Sequence, residues 1–222
     1  MSSVFPSEKP FHDWVERYLI DRCGYVKTDE REYDHDLDII PSALYEFVSE
    51  TQGDVLDEIG FVMGRAVTPA ELAAECRRAI RKHGKLSVLR DGFKFKGQKI
   101  NVLVHEPIRR DRDECLRFVN ANRAQLIREC PVYKGNRRGR IDLALLVNGL
   151  SVAEIELKDG IRQSVDDAID QIRMRPSSAA IFGDGRSGAL LHVAMTPSRC
   201  RLSVNFDGHD TEFMGFDRYD RE

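Results

Sequence analysis

The sequence predicts an α/β fold, and three observations carry that expectation. Residues Ile141 to Val147, the pair Asn148-Gly149 and residues Leu150 to Leu157 make the strongest hairpin signal in the chain, because Asn-Gly supplies the positive φ angles a tight turn needs. Directly after it, Val165, Ala168, Ile169 and Ile172 recur at the i, i+3, i+4, i+7 spacing of a helix face. Ahead of it lie three more stretches with helical periodicity. Strands and helices therefore share one chain of 222 residues, long enough to bury a substantial core. No repeat, low-complexity tract or linker divides it, so one α/β domain is expected.

The elements follow in order. From Pro10 to Asp21, Phe11, Trp14, Val15 and Tyr18 predict a first helix, with Gly24 placed to stop it. Residues 42 to 63 carry a second, with Leu44, Phe47 and Val48 on one face and Val55, Leu56 and Ile59 continuing it after Gly53. Thr68-Pro69-Ala70-Glu71 reads as a capping box with proline at the first helical position, and Leu72, Cys76, Ala79 and Ile80 carry that helix to Gly84. Leu86 to Val104 is rich in Val, Leu, Ile and Phe with turn signals at Asp91-Gly92 and Gly97, which predicts short antiparallel strands. A helix is expected over residues 111 to 122 and an extended segment from Gln125 to Tyr133. Ser164 and Asp167 make a capping pair for the helix behind the hairpin. Two further strands are expected at Ala189 to Ala194 and Leu202 to Phe206.

Composition removes several classes. Apolar residues make up 41% and charged residues 32%, and 34 Lys+Arg against 37 Asp+Glu give a formal charge of −3, which fits neither a disordered acidic tail nor a histone-like basic protein. The densest apolar runs, Leu143 to Val147 and Ala189 to Val193, fall far short of the roughly 18 residues that span a bilayer. No apolar targeting segment opens the chain, so a cytoplasmic location is expected. Cys23, Cys76, Cys115, Cys130 and Cys200 are odd in number and contain no C-x-x-C pair, which argues against a disulfide framework or a zinc site.

Chemistry concentrates on the hairpin. In Val152-Ala-Glu-Ile-Glu-Leu-Lys158, alternation puts Ala153, Ile155 and Leu157 on one face and Glu154, Glu156 and Lys158 on the other. The preceding strand holds Asp142 inside an apolar run, where a carboxylate is costly unless paired or bound to a cation. Two carboxylates from adjacent strands can share a hard divalent ion, and a lysine two residues on can orient or deprotonate a water attacking phosphate.

The segment R-I-D-L-A-L-L-V-N-G-L-S-V-A-E-I-E-L-K (140 to 158) resembles the PD-(D/E)xK nucleases, and specifically the N-terminal nuclease region of the R subunit of type I restriction endonucleases. The resemblance extends to S-E-T-Q-G (49 to 53), G-K-L-S-V-L-R-D-G (84 to 92), D-D-A-I-D-Q (166 to 171) and M-T-P…G-H-D-T-E-F-M-G-F (195 to 216). It implies a restriction-endonuclease-like core of mixed central sheet flanked by helices, about 125 to 206 with the helix at 10 to 22, and an inserted helical and β-hairpin region at about 40 to 122. It further implies an endodeoxyribonuclease in which Asp142 and Glu156 bind Mg²⁺ and Lys158 is catalytic. Glu16 falls where an accessory acid is often found, and Gln171 matches a glutamine tied to DNA contact. Arg175 stands where tyrosine would complete that glutamine motif, Asp159 where asparagine is usual and Ser151 where proline is usual. The implied partners are duplex DNA and the specificity and methyltransferase subunits of a restriction complex, with no membrane. ATP would enter only through a motor domain outside these residues. Gly92 to Lys99 imitates a phosphate-binding loop but has Gln98 and Lys99 where Lys and Ser or Thr are required.

A register constraint follows from counting. With a plain two-residue turn at Asn148-Gly149, Val147 faces Leu150 and Asp142 faces Ile155, on the wrong side of the sheet from Glu156. A longer connection or one bulge brings Asp142 opposite Glu156. Glu154 is expected to be a solvated neighbour. Of two basic clusters, Arg77, Arg78, Arg81, Lys82 and Lys85 suit a helix C-terminus, whereas Lys134, Arg137, Arg138 and Arg140 precede Asp142 and are expected to grip phosphate.

Overall fold

The computed structural model describes residues 7–105, 120–133, 139–182 and 186–216. Helix α1 spans Glu8–Cys23 and ends at Gly24, whose φ of 74° is the left-handed stop the sequence predicts. β1 is Val26–Lys27, α2 Pro41–Met63, α3 Pro69–His83 and α4 Lys85–Asp91. A small hairpin, β2 (Phe93–Phe95) and β3 (Gln98–Ile100), follows. Then come β4 (Ala124–Pro131), β5 (Arg140–Val147), β6 (Leu150–Leu157), α5 (Val165–Arg173), β7 (Leu191–Met195), β8 (Cys200–Ser203) and β9 (Met214–Gly215).

Seven strands form one sheet in the order β1-β4-β5-β6-β7-β8-β9. The sheet is mixed: β1 runs parallel to β4 and β6 parallel to β7, while the other neighbours are antiparallel. The α/β class with a mixed central sheet and flanking helices, compatible with a nuclease-like core, is thus as expected. One face of the sheet packs Leu126, Leu143, Leu145, Ala153, Ile155 and Leu157 against Phe11 and Val15 of α1. The opposite face sets Ile127, Ala144, Leu146 and Ala194 against Val165, Ala168, Ile169 and Ile172 of α5. A third core joins α2, α3, α4 and the small hairpin, and reaches the sheet through Ile39 and Leu150.

Both predicted capping boxes form, Thr68 with Glu71 and Ser164 with Asp167. α2 runs through Gly53, with a kink where Gln52 leaves helical geometry and its side-chain amide bonds both backbone groups of Asn101 at 2.8 Å. The expectation for Leu86 to Val104 is half corrected. Residues 85–91 are helical, because Val88 and Leu89 turn inward on a helix framed by Gly84 and Gly92. Only 93–100 form the antiparallel pair. The helix expected over 111 to 122 falls almost wholly outside the described residues.

Candidate metal centre at the β5–β6 hairpin

Asn148 (φ 49°) and Gly149 (φ 82°) make the tight turn, and Val147 faces Leu150 as counting requires. One step on, the register shifts. Leu146 faces Ser151, but Leu145 faces Ala153, Ala144 faces Glu154 and Leu143 faces Ile155. Val152 is the extra residue, and the register carried one residue past the last pair, Leu143 with Ile155, brings Asp142 level with Glu156. The ladder stops there: the Asp142 carboxylate, through Oδ2, accepts the Leu157 amide at 2.7 Å.

The polar face of β6 is not a surface. Glu154 and Glu156 are fully buried and Lys158 is 4% exposed. Lys158 Nζ donates to Glu156 Oε1 at 3.2 Å and lies 3.4 Å from Glu8 Oε1. Arg175 Nη2 donates to Glu156 Oε2 at 2.9 Å and to the Arg140 carbonyl. Each Glu156 oxygen therefore has its own cation. Burial raises the pKa of Asp142 and of Glu156, and the Asp142 charge raises Glu156 further. For Lys158, burial works against the charged form, but Glu156, Asp142 and Glu8 outweigh it and hold the ammonium above its usual range.

From α1, His12 Nε2 lies 3.7 Å from Asp142 Oδ2 and 3.5 Å from Glu8 Oε1. Glu8, His12 and Asp142 each offer one ligand atom, all within 4.8 Å of one another. That spread suits donors about 2.0–2.4 Å from a shared divalent cation. The donor set thus fits a divalent ion at Asp142, with Glu156 beside it.

The other predicted residues are distributed around this centre. Glu16, two turns beyond Glu8, is tied to Lys27 and to Arg128 (2.7 Å), so the α1 groups beside Asp142 are Glu8 and His12. These two were missed because a His and a Glu beside an apolar stripe read as ordinary helix surface; their i, i+4 spacing before Glu16 was the available signal. Gln171 lines a cavity of about 570 Å³ with Gln163, Asp167, Tyr133 and Arg175. Arg140, part exposed, donates through Nη2 to Glu30 at 2.7 Å. Lys134, Arg137 and Arg138 lie outside the described residues. Glu154 is a correction: it is buried against His192, Oε1 to Nδ1 2.9 Å, because β7 covers this part of the strand. Asp159 accepts the amides of Ile161, Arg162 and Gln163 and closes the turn after β6. Arg77 and Lys85 of the first basic cluster are buried as well.

Comparison with protein families matches residues 52–189 to the type I restriction enzyme R protein N terminus. The chain belongs to this family. Asp142, Glu156, Lys158, Gln171 and Arg175 all fall inside the matched region of the R protein N terminus, and α1 lies ahead of it. No curated protein matches the chain. Among the described residues no helix is long and apolar enough to cross a membrane.

Proposed function

We propose that this chain is a Mg²⁺-dependent endodeoxyribonuclease domain of a type I restriction system, hydrolysing phosphodiesters of duplex DNA with sequence choice left to a specificity subunit. One observation carries the reading: the bulged register sets Asp142 level with Glu156, and Lys158 follows two residues on. Asp142 and Glu156, with Glu8 and His12 beside them, would hold the ion. A bound Mg²⁺ would supply charge neutralisation at the phosphate and at the attacking water. Lys158, pinned between Glu156 and Glu8, orients that water or meets charge developing on the phosphate. Arg175 fixes the rotamer of Glu156 and favours its ionised form against the opposing effects of burial and Asp142. The other partners are the methyltransferase and specificity subunits of a cytoplasmic complex, and ATP is used by a separate motor domain.

In the assembled enzyme, Asp142→Ala, Glu156→Ala and Lys158→Ala each abolish DNA cleavage while ATP use and translocation continue. Wild-type nicking by Lys158→Ala removes the assignment. A second reading, a non-catalytic DNA-docking domain of the same fold, draws on the double pairing of Glu156 by Lys158 and Arg175. Calorimetric titration with Mg²⁺ separates the two: the nuclease binds the ion and loses it on Glu156→Ala, and the docking domain gives no binding in either form.

A further inference from the structure

The small hairpin β2–β3 has two unlike faces. Phe93, Phe95 and Ile100 are buried in the third core, while Lys94 and Lys99 are exposed and stand directly opposite each other. Like charges at opposed positions destabilise a strand pair, and at the turn Lys96 takes a φ of 47°, where asparagine or glycine would cost less. Nothing in the packing of the hairpin offsets that cost. Lys94 and Lys99 line a cavity of about 640 Å³ between this hairpin, α3 and α4, together with Arg78 and Lys82 of α3. Two carboxylates share the cavity and both are taken: Glu75 accepts from Arg78 at 2.6 Å and Asp91 from Arg90 at 2.9 Å. The ammonium groups of Lys82, Lys94 and Lys99 have no hydrogen bond or ion pair among the described residues. Lys99 acts on Asp91 only from beyond ion-pair distance.

Lys82, in the last turn of α3, suits the negative end of that helix, but the hairpin lysines have no such account. Three uncompensated ammonium groups around one groove suit an anion that carries several charges along its length. We propose that this groove grips the phosphate backbone of duplex DNA, as a contact surface separate from the β5–β6 centre. Lysine is a point charge without the planar fork that reads base edges. The one arginine of the groove is held by Glu75, and among its described lining residues there is no Asn or Gln. Phe93 is buried, which leaves no phenyl face for an unstacked base and disfavours single strands. Phosphate contacts position a duplex without reading its sequence, as a division of labour with a specificity subunit requires. The choice of DNA as the polyanion rests on the nuclease reading. The charge of the groove does not.

Fluorescence anisotropy of the full chain with a short labelled duplex, in EDTA and across a salt series, tests this. Lys82→Gln, Lys94→Gln and Lys99→Gln together weaken binding by about tenfold or more and lower the slope of log affinity against log salt by about 2–3, because each lysine–phosphate contact releases about one bound cation. Unchanged affinity and slope, or no binding by the parent at low salt, overturn the proposal. All three positions are exposed, so the variant is expected to melt with the parent. Should it not fold, acylation of lysines in the parent chain, mapped by mass spectrometry, takes its place. Duplex then slows the reaction at all three lysines by about fivefold or more, and equal rates with and without DNA overturn the proposal. Polyglutamate is the rival polyanion; binding it as tightly as the duplex would assign the groove to an acidic protein and overturn the proposal. Cleavage by the assembled enzyme is scored apart. A chain that never cuts but loses duplex affinity in the triple variant keeps the groove and loses the nuclease reading, whereas one that cuts with affinity unchanged in the variant keeps the nuclease and loses the groove.

Discussion

Glu156 has a cation on each carboxylate oxygen and no solvent, so its neighbours set its charge. Removing Arg175 leaves a buried carboxylate with half its compensation, and breaking a buried pair this way costs about 3–5 kcal/mol. Arg175→Ala therefore melts well below the parent without metal, and Mg²⁺ recovers part of the loss by restoring positive charge. Thermal melts with and without Mg²⁺ check this; an equal deficit in both conditions would show that the ion does not sit beside Glu156. The pH response follows from the same pair. Asp142 and Glu156 hold protons more tightly folded than unfolded, so their contribution is fully present below the ordinary carboxylate range and is lost as pH rises through their raised values. The metal-free chain is accordingly less stable near neutrality than near pH ~5, and Mg²⁺ stabilises it more at the higher pH, where it no longer competes with protons. A Mg²⁺-induced shift in melting temperature that is independent of pH would refute this. Alternation assigns Glu154, Glu156 and Lys158 to one side of the strand, but says nothing of the cover that β7 and α5 put over that side. Burial is a property of the neighbours, and for that reason Glu154 read as solvated.

At the scale of elements, local signals that require a specific side chain transferred well. The two capping boxes and the Asn148-Gly149 turn each depend on contacts within four residues. Gly149 is needed twice over, since a Cβ at its φ of 82° would also stand 2.6 Å from the Ile40 carbonyl oxygen. Gly149→Ala is expected to destabilise the chain by about 2–3 kcal/mol or more through strain and clash, measurable by urea denaturation. A cost below about 1 kcal/mol would mean that the turn relaxes freely and does not fix the hairpin. Residues 85–91 went the other way, because a short run of Leu, Val and Ser fits a buried helix as well as a strand. What decides it is Lys85, whose Nζ must reach Ser151 and Asp38. The bulge was legible only as a demand of the chemistry; nothing around Val152 announces it, since its carbonyl's partner is the Leu190 amide just ahead of β7, distant in sequence.

For the molecule as a whole, neither the hairpin nor its sheet closes its own core. Tyr33, Ile40 and Ala43 complete the cluster under α5, and Phe11 and Val15 complete the one on the opposite face. A fragment limited to residues 120–216 would expose both surfaces and lose Lys85 and Asp38. It is expected to lack a cooperative thermal transition and to be degraded rapidly by trypsin; a sharp transition for this fragment would contradict the dependence of the hairpin on the preceding residues. The sheet's two margins carry a different consequence. β1 and β9, its outermost strands, are two residues long each, and β1 covers only Gln125 and Leu126 of the eight-residue β4. The rest of β4 is therefore an edge, and Glu129, at a φ of 54°, breaks the extended backbone that an incoming strand would need to zip along it.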